Sequence, residues 1–493
     1  MTESSEPRAA GVPLHPDEAP VSKRPPVRRI GRTLVAVAAV IMLSGLLFGY
    51  DQGVISGALS GIEKDFHVST FLLEVITSWV TLGAMAGALV AGWMADRFGR
   101  RLTIVAAAVL FILGAMIEAL APGAYVLVAG RLLVGFGVGV ASVAAPLYAS
   151  ELAPAHLRGR MVSLYQLAIT MGIFVAYFAD YLLINGNQWR VMLGISAIPA
   201  VLLAIAIVPL PDSPRWYVKM GRHADALAAL KRVEPTEDFD ADLKAIEDLN
   251  AKEQVGSWIE VFARRWRRPL IIGVALAALQ QFTGINAIIY YADKIFAAAG
   301  FASPSSQSLA TLLAIGLVNV VATFGAVAWV DRFGRRPLLL IGTVGMGVSL
   351  VVVGIMFEFL DAQTTTSTGT SVYGIVTLVA LVVFIASFAF SLGPVVWTII
   401  NEIYPSHIRG KGVALATAVN WFSAWLVSQF FLSLVGAITE AGTFWLFAGF
   451  CAVTYVFVLR FVPETKGKTL EEVELLWGDK EAIRRALGSH PSR

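Results

Sequence analysis

An ionisable side chain inside a long apolar segment is the strongest chemical signal in this sequence. Asp51 is the one acid well inside the first apolar segment, between Arg32 and Glu63. A carboxylate at membrane depth is costly and is a functional candidate by default, with a structural ion pair as the alternative. A proton that reached Asp51 would neutralise it, so this residue type suits reversible proton binding.

Arg131, in the fourth apolar segment, is the base that matches Asp51. Successive helices should cross the membrane in opposite directions, and each residue adds a rise of about 1.5 Å. Asp51 then lies about 26 Å along the first helix from residue 34, and Arg131 lies about 9 Å from the outer end of the fourth helix. Both side chains then lie in the outer half of the membrane. Protonation of Asp51 would loosen its hold on Arg131, and we expect the pair to be the proton-coupling site.

Long helices must hold these residues at that depth, and the composition supplies such helices. Of 493 residues, 57% are hydrophobic and only 15% are charged, whereas about a quarter of the residues in a soluble domain are charged. Runs of about 20 apolar residues span a bilayer. Such runs lie near 33–60, 72–94, 102–121, 125–148, 161–182, 191–210, 269–297, 309–330, 337–358, 372–399, 411–432 and 443–462. The predicted fold is an all-α integral membrane protein with twelve transmembrane helices.

Several classes of function find no support in the residues. The net charge of +3 is too small to indicate a nucleic-acid partner, and the single Cys451 rules out an intramolecular disulfide. The six histidines are scattered, and the sequence shows no metal-ligand spacing, nucleophile elbow or phosphate-binding loop. We therefore expect neither an enzyme nor a bound cofactor.

Positive charge in the short loops gives the orientation and the domains. Lys and Arg cluster in alternate connections, which indicates that both chain ends are cytoplasmic. The charged stretch 212–268 contains two helical patterns, HADALAALKRV and DADLKAIEDLNAK. The predicted units are a disordered cytoplasmic tail at 1–32, six-helix bundles at 33–211 and 269–463, a cytoplasmic helical linker at 212–268 and a cytoplasmic tail at 464–493.

The two bundles repeat each other in sequence. The run Asp96–Arg101 reads DRFGRR and recurs at Asp331–Arg336. The pattern E-x-x-P-x-x-x-R-G begins at Glu151 and again at Glu402, and Pro211-Asp212 corresponds to Pro463-Glu464. Three repeats in the same order indicate two parallel six-helix halves, with a binding site expected near the midplane where the halves meet.

These motifs resemble those of the sugar porter family of the major facilitator superfamily. The resemblance rests on GYDxGVISG (Gly49 to Gly57), both copies of DRxGRR, PDSPRW (Pro211 to Trp216), QQFTGINAIIYY (Gln280 to Tyr291) and PETKG (Pro463 to Gly467). It covers about residues 33 to 475. Within the family it is closest to the bacterial galactose–proton and arabinose–proton symporters, through Tyr165–Thr170 and Asn319–Phe324.

The resemblance implies a proton-coupled symporter that imports a monosaccharide by alternating access across the bacterial cytoplasmic membrane. Proton-coupled relatives carry Asp at the position of Asp51, and many facilitative relatives carry Asn. The expected partners are a hexose or pentose, the proton and the lipid bilayer, with the monomer as the functional unit. A facilitative sugar uniporter and a polyol or myo-inositol symporter remain alternatives, and a sugar receptor that does not transport is less favoured.

A sugar site needs amide groups for the hydroxyls and aromatic faces for the C–H side of the ring. Matching the family's sugar contacts to this chain gives candidates on five helices of both halves. They are Gln166, Gln280, Gln281, Asn286, Asn319, Trp397, Asn420 and Trp421. Hydrogen bonding or packing between helices is a rival role for each of them. Asn420 stands where some relatives have Gln, which leaves the choice of sugar open.

Two further groups of residues are expected to govern opening and closing. Gly393-Pro394 breaks the hydrogen-bond ladder of the tenth helix as a hinge or a static kink, and Tyr290 and Tyr291 resemble outer-gate residues. Cytoplasmic ion-pair clusters should link the halves when the outer side is open. Their expected members are Asp96, Arg97, Arg101, Glu151, Arg158, Asp331, Arg332, Glu402 and Arg409.

Overall fold

The structure is a computed structural model that describes residues 31–154, 157–233, 239–252, 257–361 and 372–466. Every regular element in these ranges is a helix, as the apolar runs predict. Most of the predicted tails at 1–32 and 464–493 lies outside the described residues.

Twelve long helical segments run back and forth across the molecule. They are α1 (Arg32–Phe66), α2 (Thr70–Phe98), α3 (Arg100–Ala119), α4 (Ala124–Leu152), α5 (Arg158–Leu183), α6 (Trp189–Gly194 and Ala197–Ile207), α7 (Arg267–Phe282 and Ile285–Tyr290), α8 (Pro304–Thr311, Leu312–Leu317 and Val318–Phe333), α9 (Arg335–Asp361), α10 (Val372–Phe390 and Leu392–Ile403), α11 (Ser406–Gln429) and α12 (Phe431–Phe461). Each lies at one of the twelve predicted runs.

Eleven of these segments are long and apolar enough to cross a membrane, among the residues that the structure describes. The exception is α11, which spans 24 residues. Its mean hydropathy is lowered by polar side chains, several of which are buried: Asn420, Ser423, Ser428 and Gln429. The lower mean hydropathy of α11 thus accompanies a polar inner face, as expected for a helix beside a polar site.

Large apolar side chains cover the outside of the bundle. More than half of the surface of each of Leu89, Leu182, Ile205, Val348 and Val379 is exposed. A soluble protein of this size would bury such residues, whereas hydrocarbon chains solvate them well. The exposed apolar surface thus agrees with a multi-pass membrane protein.

Glycines on α1 allow α5 to pack very closely against it. A Cβ added at Gly45 would lie 2.7 Å from the Tyr165 carbonyl oxygen, and one added at Gly53 would lie 2.8 Å from the Ala176 Cβ. Small residues let two backbones approach in this way without a hydrophobic driving force. The four-residue glycine spacing of α1 therefore seats this helix, and with it Asp51, inside the first half.

Helices α7 and α10 are each broken inside the bundle. The α7 segment stops at Phe282 and restarts at Ile285, and Gly284 between them has φ of 88°. Only glycine adopts this left-handed conformation readily, and a Cβ there would collide with the Phe447 ring. The α10 segment breaks at Ser391 (φ −124°, ψ −89°), three residues before Pro394, which has no N–H to continue the helical ladder.

Short helices occupy the linker between the halves. They are Pro214–Lys219, His223–Val233, Phe239–Lys252 and Trp258–Val261, and the middle two coincide with the two helical patterns of the sequence. The Trp216 indole N–H donates to the Asp96 carbonyl oxygen over 3.0 Å, and His407 Nε2 lies 3.3 Å from Glu260 Oε1. The linker thus packs against both halves.

The two ends of the bundle differ in how the halves meet. We call the end with Arg97, Arg100, Arg101, Arg332, Arg335 and Arg336 the arginine end, and the end where α1 passes into α2 the far end. At the far end, hydrogen bonds and one ion pair join the halves. They are Ser78–Gln429, Ser433–Glu74, Tyr177–Ile289, Asp293–Ser56, Lys294–Glu63 and Ser305–Asn185. At the arginine end, the ion pairs between described side chains stay within one half or join it to the linker.

Candidate functional site

Asp51 and Arg131 meet inside the first half. Arg131 Nη1 lies 2.6 Å from Asp51 Oδ1, and Arg131 Nε donates to the Ile76 carbonyl oxygen of α2 over 3.2 Å. Arg131 has no exposed surface, and only 4% of Asp51 is exposed. A charge-assisted hydrogen bond of this length is strong where water is excluded. The contact that matching depth made possible is present, and its role in proton coupling stays a prediction.

A third charged residue, Glu118 of α3, joins this pair and was missed in the sequence. Glu118 Oε1 lies 3.8 Å from Arg131 Nη1, and 1% of the residue is exposed. The two helices are in close contact there, because a Cβ added at Gly130 would lie 2.7 Å from Glu118 Cγ. The available signal was that Glu118 is the only acid in the apolar run 102–121. We call Asp51, Arg131 and Glu118 the charged triad.

Three amide side chains of the second half form one hydrogen-bonded network. Asn420 Nδ2 donates to Gln280 Oε1 over 2.8 Å and to the Ala277 carbonyl oxygen over 2.9 Å. Gln281 Nε2 donates to Asn420 Oδ1 over 3.2 Å. All three side chains are buried. Gln281 Oε1 is buried without a hydrogen-bond partner, so the network keeps one acceptor for a further donor such as a hydroxyl.

The network also spans the helix break in α10. Gln280 Nε2 donates to the Leu392 carbonyl oxygen over 2.7 Å, one residue beyond the break at Ser391. The amide network is therefore hydrogen bonded to the backbone of the broken helix. Gly393 and Pro394, the predicted hinge, lie immediately after that carbonyl.

The other predicted sugar contacts differ in burial and in their neighbours. Trp421, next to Asn420, packs on Phe48 of α1 with ring centroids 5.4 Å apart, so an aromatic contact joins the two halves. Asn286 and Asn319 are buried, and Gln166 and Trp397 are half-buried. The contacts described do not join these four to the amide network, and their predicted role in sugar binding is not tested by them.

Tyr290 is the last residue of α7 and Tyr291 follows it, and both are almost completely buried. Tyr291 donates its hydroxyl to the Ser428 carbonyl oxygen over 2.9 Å and stacks on Phe431, with centroids 5.0 Å apart. Tyr290 lies near enough to Gln52 of α1 and to Asp51 and Arg131 to interact with them electrostatically. The segment of α7 beyond its break is therefore within electrostatic range of Asp51 and Arg131, while the segment before it carries Gln280 and Gln281.

Comparison with known proteins assigns the chain to a family. The family described as "Sugar (and other) transporter" matches residues 37–477. The arabinose-proton symporter of Escherichia coli K12 is 41% identical over 455 residues, which cover 90% of this chain and 94% of the relative. The galactose-proton symporter of the same strain is 38% identical over 473 residues, 94% of this chain and 100% of the relative. The chain belongs to the sugar transporter family.

A solved structure shows the same fold. The xylose transporter XylE from Escherichia coli, in a partially occluded inward open conformation, superposes with a TM-score of 0.77 at 30% identity. The match covers 89% of this chain and 99% of that chain. The major facilitator fold with twelve helices, expected from the sequence, is confirmed.

At the arginine end of this sugar transporter, the described ion pairs lie within one half or join it to the linker, and they do not test the expected pairs between the halves. Glu151 pairs with Arg100, whose Nε lies 2.9 Å from Glu151 Oε2, and Asp96 contacts Arg100 and Lys219 at 3.4 and 3.1 Å. Arg101, expected in an ion pair, instead donates to the Val208 carbonyl oxygen. The reason is geometric: Arg100 is the member of the arginine run that faces inward, with 7% exposed.

The second half repeats this arrangement. Arg335 Nη2 lies 3.3 Å from Glu402 Oε1, as Arg100 does with Glu151, and Arg336 donates to the Leu459 carbonyl oxygen, as Arg101 does to Val208. Of the other expected members, Arg97 and Arg332 are exposed, and Arg409 Nε donates to the Tyr404 carbonyl oxygen over 3.2 Å. The side chains of Arg158 and Asp331 lie outside the described part of the structure.

The acidic residues of the third sequence repeat, Asp212 and Glu464, each cap a helix of the transporter. Asp212 accepts from the backbone N–H groups of Arg100 and Arg101 at the start of α3, over 3.0 and 3.1 Å. Glu464 accepts from those of Arg335 and Arg336 at the start of α9, over 3.1 Å each. A carboxylate at a helix N-terminus satisfies free N–H groups and opposes the positive end of the helix dipole.

The pKa values of the two capping carboxyl groups are shifted in opposite directions. Burial raises the pKa of Asp212, and the backbone hydrogen bonds only partly oppose that effect. Burial also acts to raise the pKa of Glu464, but hydrogen bonds from the backbone N–H groups of Lys466, Arg335 and Arg336 outweigh it and leave the pKa lowered. The difference follows from exposure, because Asp212 is buried and Glu464 is only half-buried.

Proposed function

We propose that the protein is a proton–monosaccharide symporter. The observation that carries the proposal is the buried Asp51–Arg131 ion pair in the first half, together with a buried amide network in the second half that keeps a free acceptor. The first is a group that can bind and release a proton at membrane depth. The second suits the hydroxyl groups of a sugar.

The helix α7 supplies a physical link between proton and sugar. Its outer segment carries Tyr290, which interacts with the charged triad, and its inner segment carries Gln280 and Gln281. The break at Gly284 lets the two segments move separately. Protonation of Asp51 releases Arg131, changes the contacts of the outer segment and so alters the free energy difference between the two open forms.

We infer that the arginine end faces the cytoplasm, together with both chain ends, because positive loops are retained on that side. The described conformation then has its outer side closed, since the contacts between the halves lie at the far end. The ion pairs at the arginine end stay within their halves because the inner side is open. They bridge the halves only when the inner side closes. The superposed XylE structure is also inward open.

The substrate class that fits is a neutral monosaccharide. The named relatives transport arabinose or galactose with a proton, and the amide network with Trp421 offers polar and aromatic contacts for such rings. Import across the bacterial cytoplasmic membrane, with the proton as the coupling ion and the monomer as the working unit, completes the proposal.

The experiment is sugar uptake into proteoliposomes with an acidic outside. The test panel is D-galactose, D-glucose, D-xylose, L-arabinose and myo-inositol, each with and without a protonophore. With one proton per sugar, a gradient of one pH unit should drive about tenfold accumulation of the right sugar, and the protonophore should abolish accumulation but leave exchange intact. Accumulation that survives the protonophore would refute proton coupling, and accumulation of myo-inositol alone would refute the monosaccharide assignment.

A further inference from the structure

The charged triad holds two acids and one base in the buried interior of the first half. Asp51, Glu118 and Arg131 are each at least 95% buried. The titratable groups that face Arg131 are these two acids, from α1 and α3, and Tyr290 of α7. The α2 helix contributes the Ile76 carbonyl oxygen. Arg190 of α6 contacts the Ala121 carbonyl oxygen beyond the end of α3, but it is paired with Asp65 and partly exposed.

The two acids do not share Arg131 equally. Nη1 is hydrogen bonded to Asp51 at 2.6 Å, whereas Glu118 Oε1 is 3.8 Å away, beyond hydrogen-bonding distance. Both Glu118 Oε1 and Arg131 Nη2 are buried without a hydrogen-bond partner. The guanidinium of Arg131, which keeps Nη2 without a partner, thus approaches a free carboxylate oxygen to 3.8 Å at Nη1, a distance beyond that of a hydrogen bond.

Proton binding at Asp51 removes a counter-ion from Arg131, and Glu118 lies close enough to replace it. Once Asp51 is neutral, Arg131 loses the counter-ion to which it is hydrogen bonded, and an unpaired buried cation is strongly disfavoured. With both acids ionised the triad has a net charge of −1, and one added proton makes it neutral. In the absence of the Glu118 charge, the same proton would leave a net charge of +1.

We propose that Glu118 is the replacement counter-ion of Arg131 in the proton-loaded state. A proton from the outer solution binds Asp51, the Asp51–Arg131 ion pair breaks, and the Arg131 guanidinium moves onto the ionised Glu118. On the inner side Asp51 releases its proton and recovers Arg131. Glu118 is a positioning residue, since it acts on the proton site through Arg131, and its role rests on the proposed symport.

The test is the pH dependence of sugar uptake by Glu118→Gln, compared with wild type, Glu118→Asp and the exposed control Glu358→Gln. Loss of the Glu118 charge makes Asp51 harder to protonate, so the pH of half-maximal accumulation should move to more acidic values by at least one unit, a tenfold higher proton concentration. Glu118→Asp keeps the charge and should stay within a few tenths of a unit of wild type. Glu358→Gln, on the outside of α9, should not shift the midpoint.

The outcomes distinguish the replacement role of Glu118 from a role in folding alone. They also distinguish failure of this role from failure of the proposed symport. Counterflow exchange at pH 5.5, measured on the same vesicles, reports how much variant is folded, and a lower amount of folded protein would not move the midpoint. An unchanged or more alkaline midpoint in active Glu118→Gln would overturn the replacement role, because Glu118 would then be uncharged throughout the cycle. Protonophore-insensitive accumulation by wild type would instead overturn the proposed symport.

Discussion

At the scale of single residues, the amide network is the part of the site most open to direct test. Asn420 donates to Gln280 and the Ala277 carbonyl oxygen and accepts from Gln281, so one side chain satisfies three groups. Removing such a partner leaves buried polar groups unsatisfied, at a cost of about 1–3 kcal/mol for each. Truncation of Asn420 should therefore disturb the network far more than replacement by a longer amide side chain.

We expect Asn420→Ala to raise the KM for sugar at least tenfold, because both glutamines lose the partner that fixes their orientation. Asn420→Gln should retain transport with a changed preference among sugars, since the amide group is kept but displaced by one methylene. The measurement is initial uptake over the sugar panel. The control is Asn401→Ala, whose exposed side chain bonds only the Trp397 carbonyl oxygen of its own helix. An unaltered KM in Asn420→Ala would remove the network from the sugar site.

Asp51 and Arg131 could be predicted from the sequence, because charge inside an apolar run is rare and depth can be counted. Glu118 satisfied the same rule but was not selected, since counting gives depth and not the direction in which a side chain points. The same limit explains why the sequence did not identify the partner of Glu151 at the arginine end. Arg97, Arg100 and Arg101 are neighbours in sequence, and only the helix rotation in the structure selects Arg100 as the partner of Glu151.

At the scale of elements, the helix caps show why the third sequence repeat exists. Asp212 and Glu464 lie after the last helix of each half, yet each caps the third helix of its own half. The sequence revealed the repeat, but its purpose required tertiary contacts that span 112 residues in the first half and 129 in the second. Helix breaks were more readily predicted, since Gly284 and Pro394 mark them chemically.

Glu464→Gln should destabilise the protein by about 1 kcal/mol at pH 7, the usual cost of a lost cap. Because the pKa of Glu464 is lowered by its backbone hydrogen bonds in the folded protein, its contribution is present above the unfolded pKa and is lost as the pH falls through the folded pKa. The difference from wild type should therefore shrink below about pH 4.

The single cysteine provides the measurement. Cys451 is buried, with 1% exposed, so thermal unfolding of the detergent-purified protein can be followed at pH 7 with a dye that reacts with newly exposed thiols. At acid pH, where thiol labelling is slow, intrinsic tryptophan fluorescence replaces it. Glu358→Gln is the matched control. A Glu464→Gln variant as stable as wild type at pH 7 would contradict the capping role.

At the scale of the whole molecule, the two halves act as bodies whose contacts differ at the two ends. The far end is held by hydrogen bonds from α2 and α5 to α7, α11 and α12. Ser56 and Glu63 of α1 also bond to Asp293 and Lys294, which follow α7. The arginine end keeps its described ion pairs within one half or its linker. Composition and repeats predicted two halves, but the conformational state could not be read from the sequence, because both open forms use the same residues.

The central claim is that Asp51 couples sugar movement to the proton, and Asp51→Asn tests it most directly. In proteoliposomes with an acidic outside, the variant should exchange labelled sugar by counterflow, since exchange needs no net proton movement. Its uphill accumulation should fall to the equilibrium ratio of one, with or without a protonophore. Asp65→Asn at the exposed end of α1 is the control and should accumulate sugar as wild type does. Full accumulation by Asp51→Asn would contradict the account.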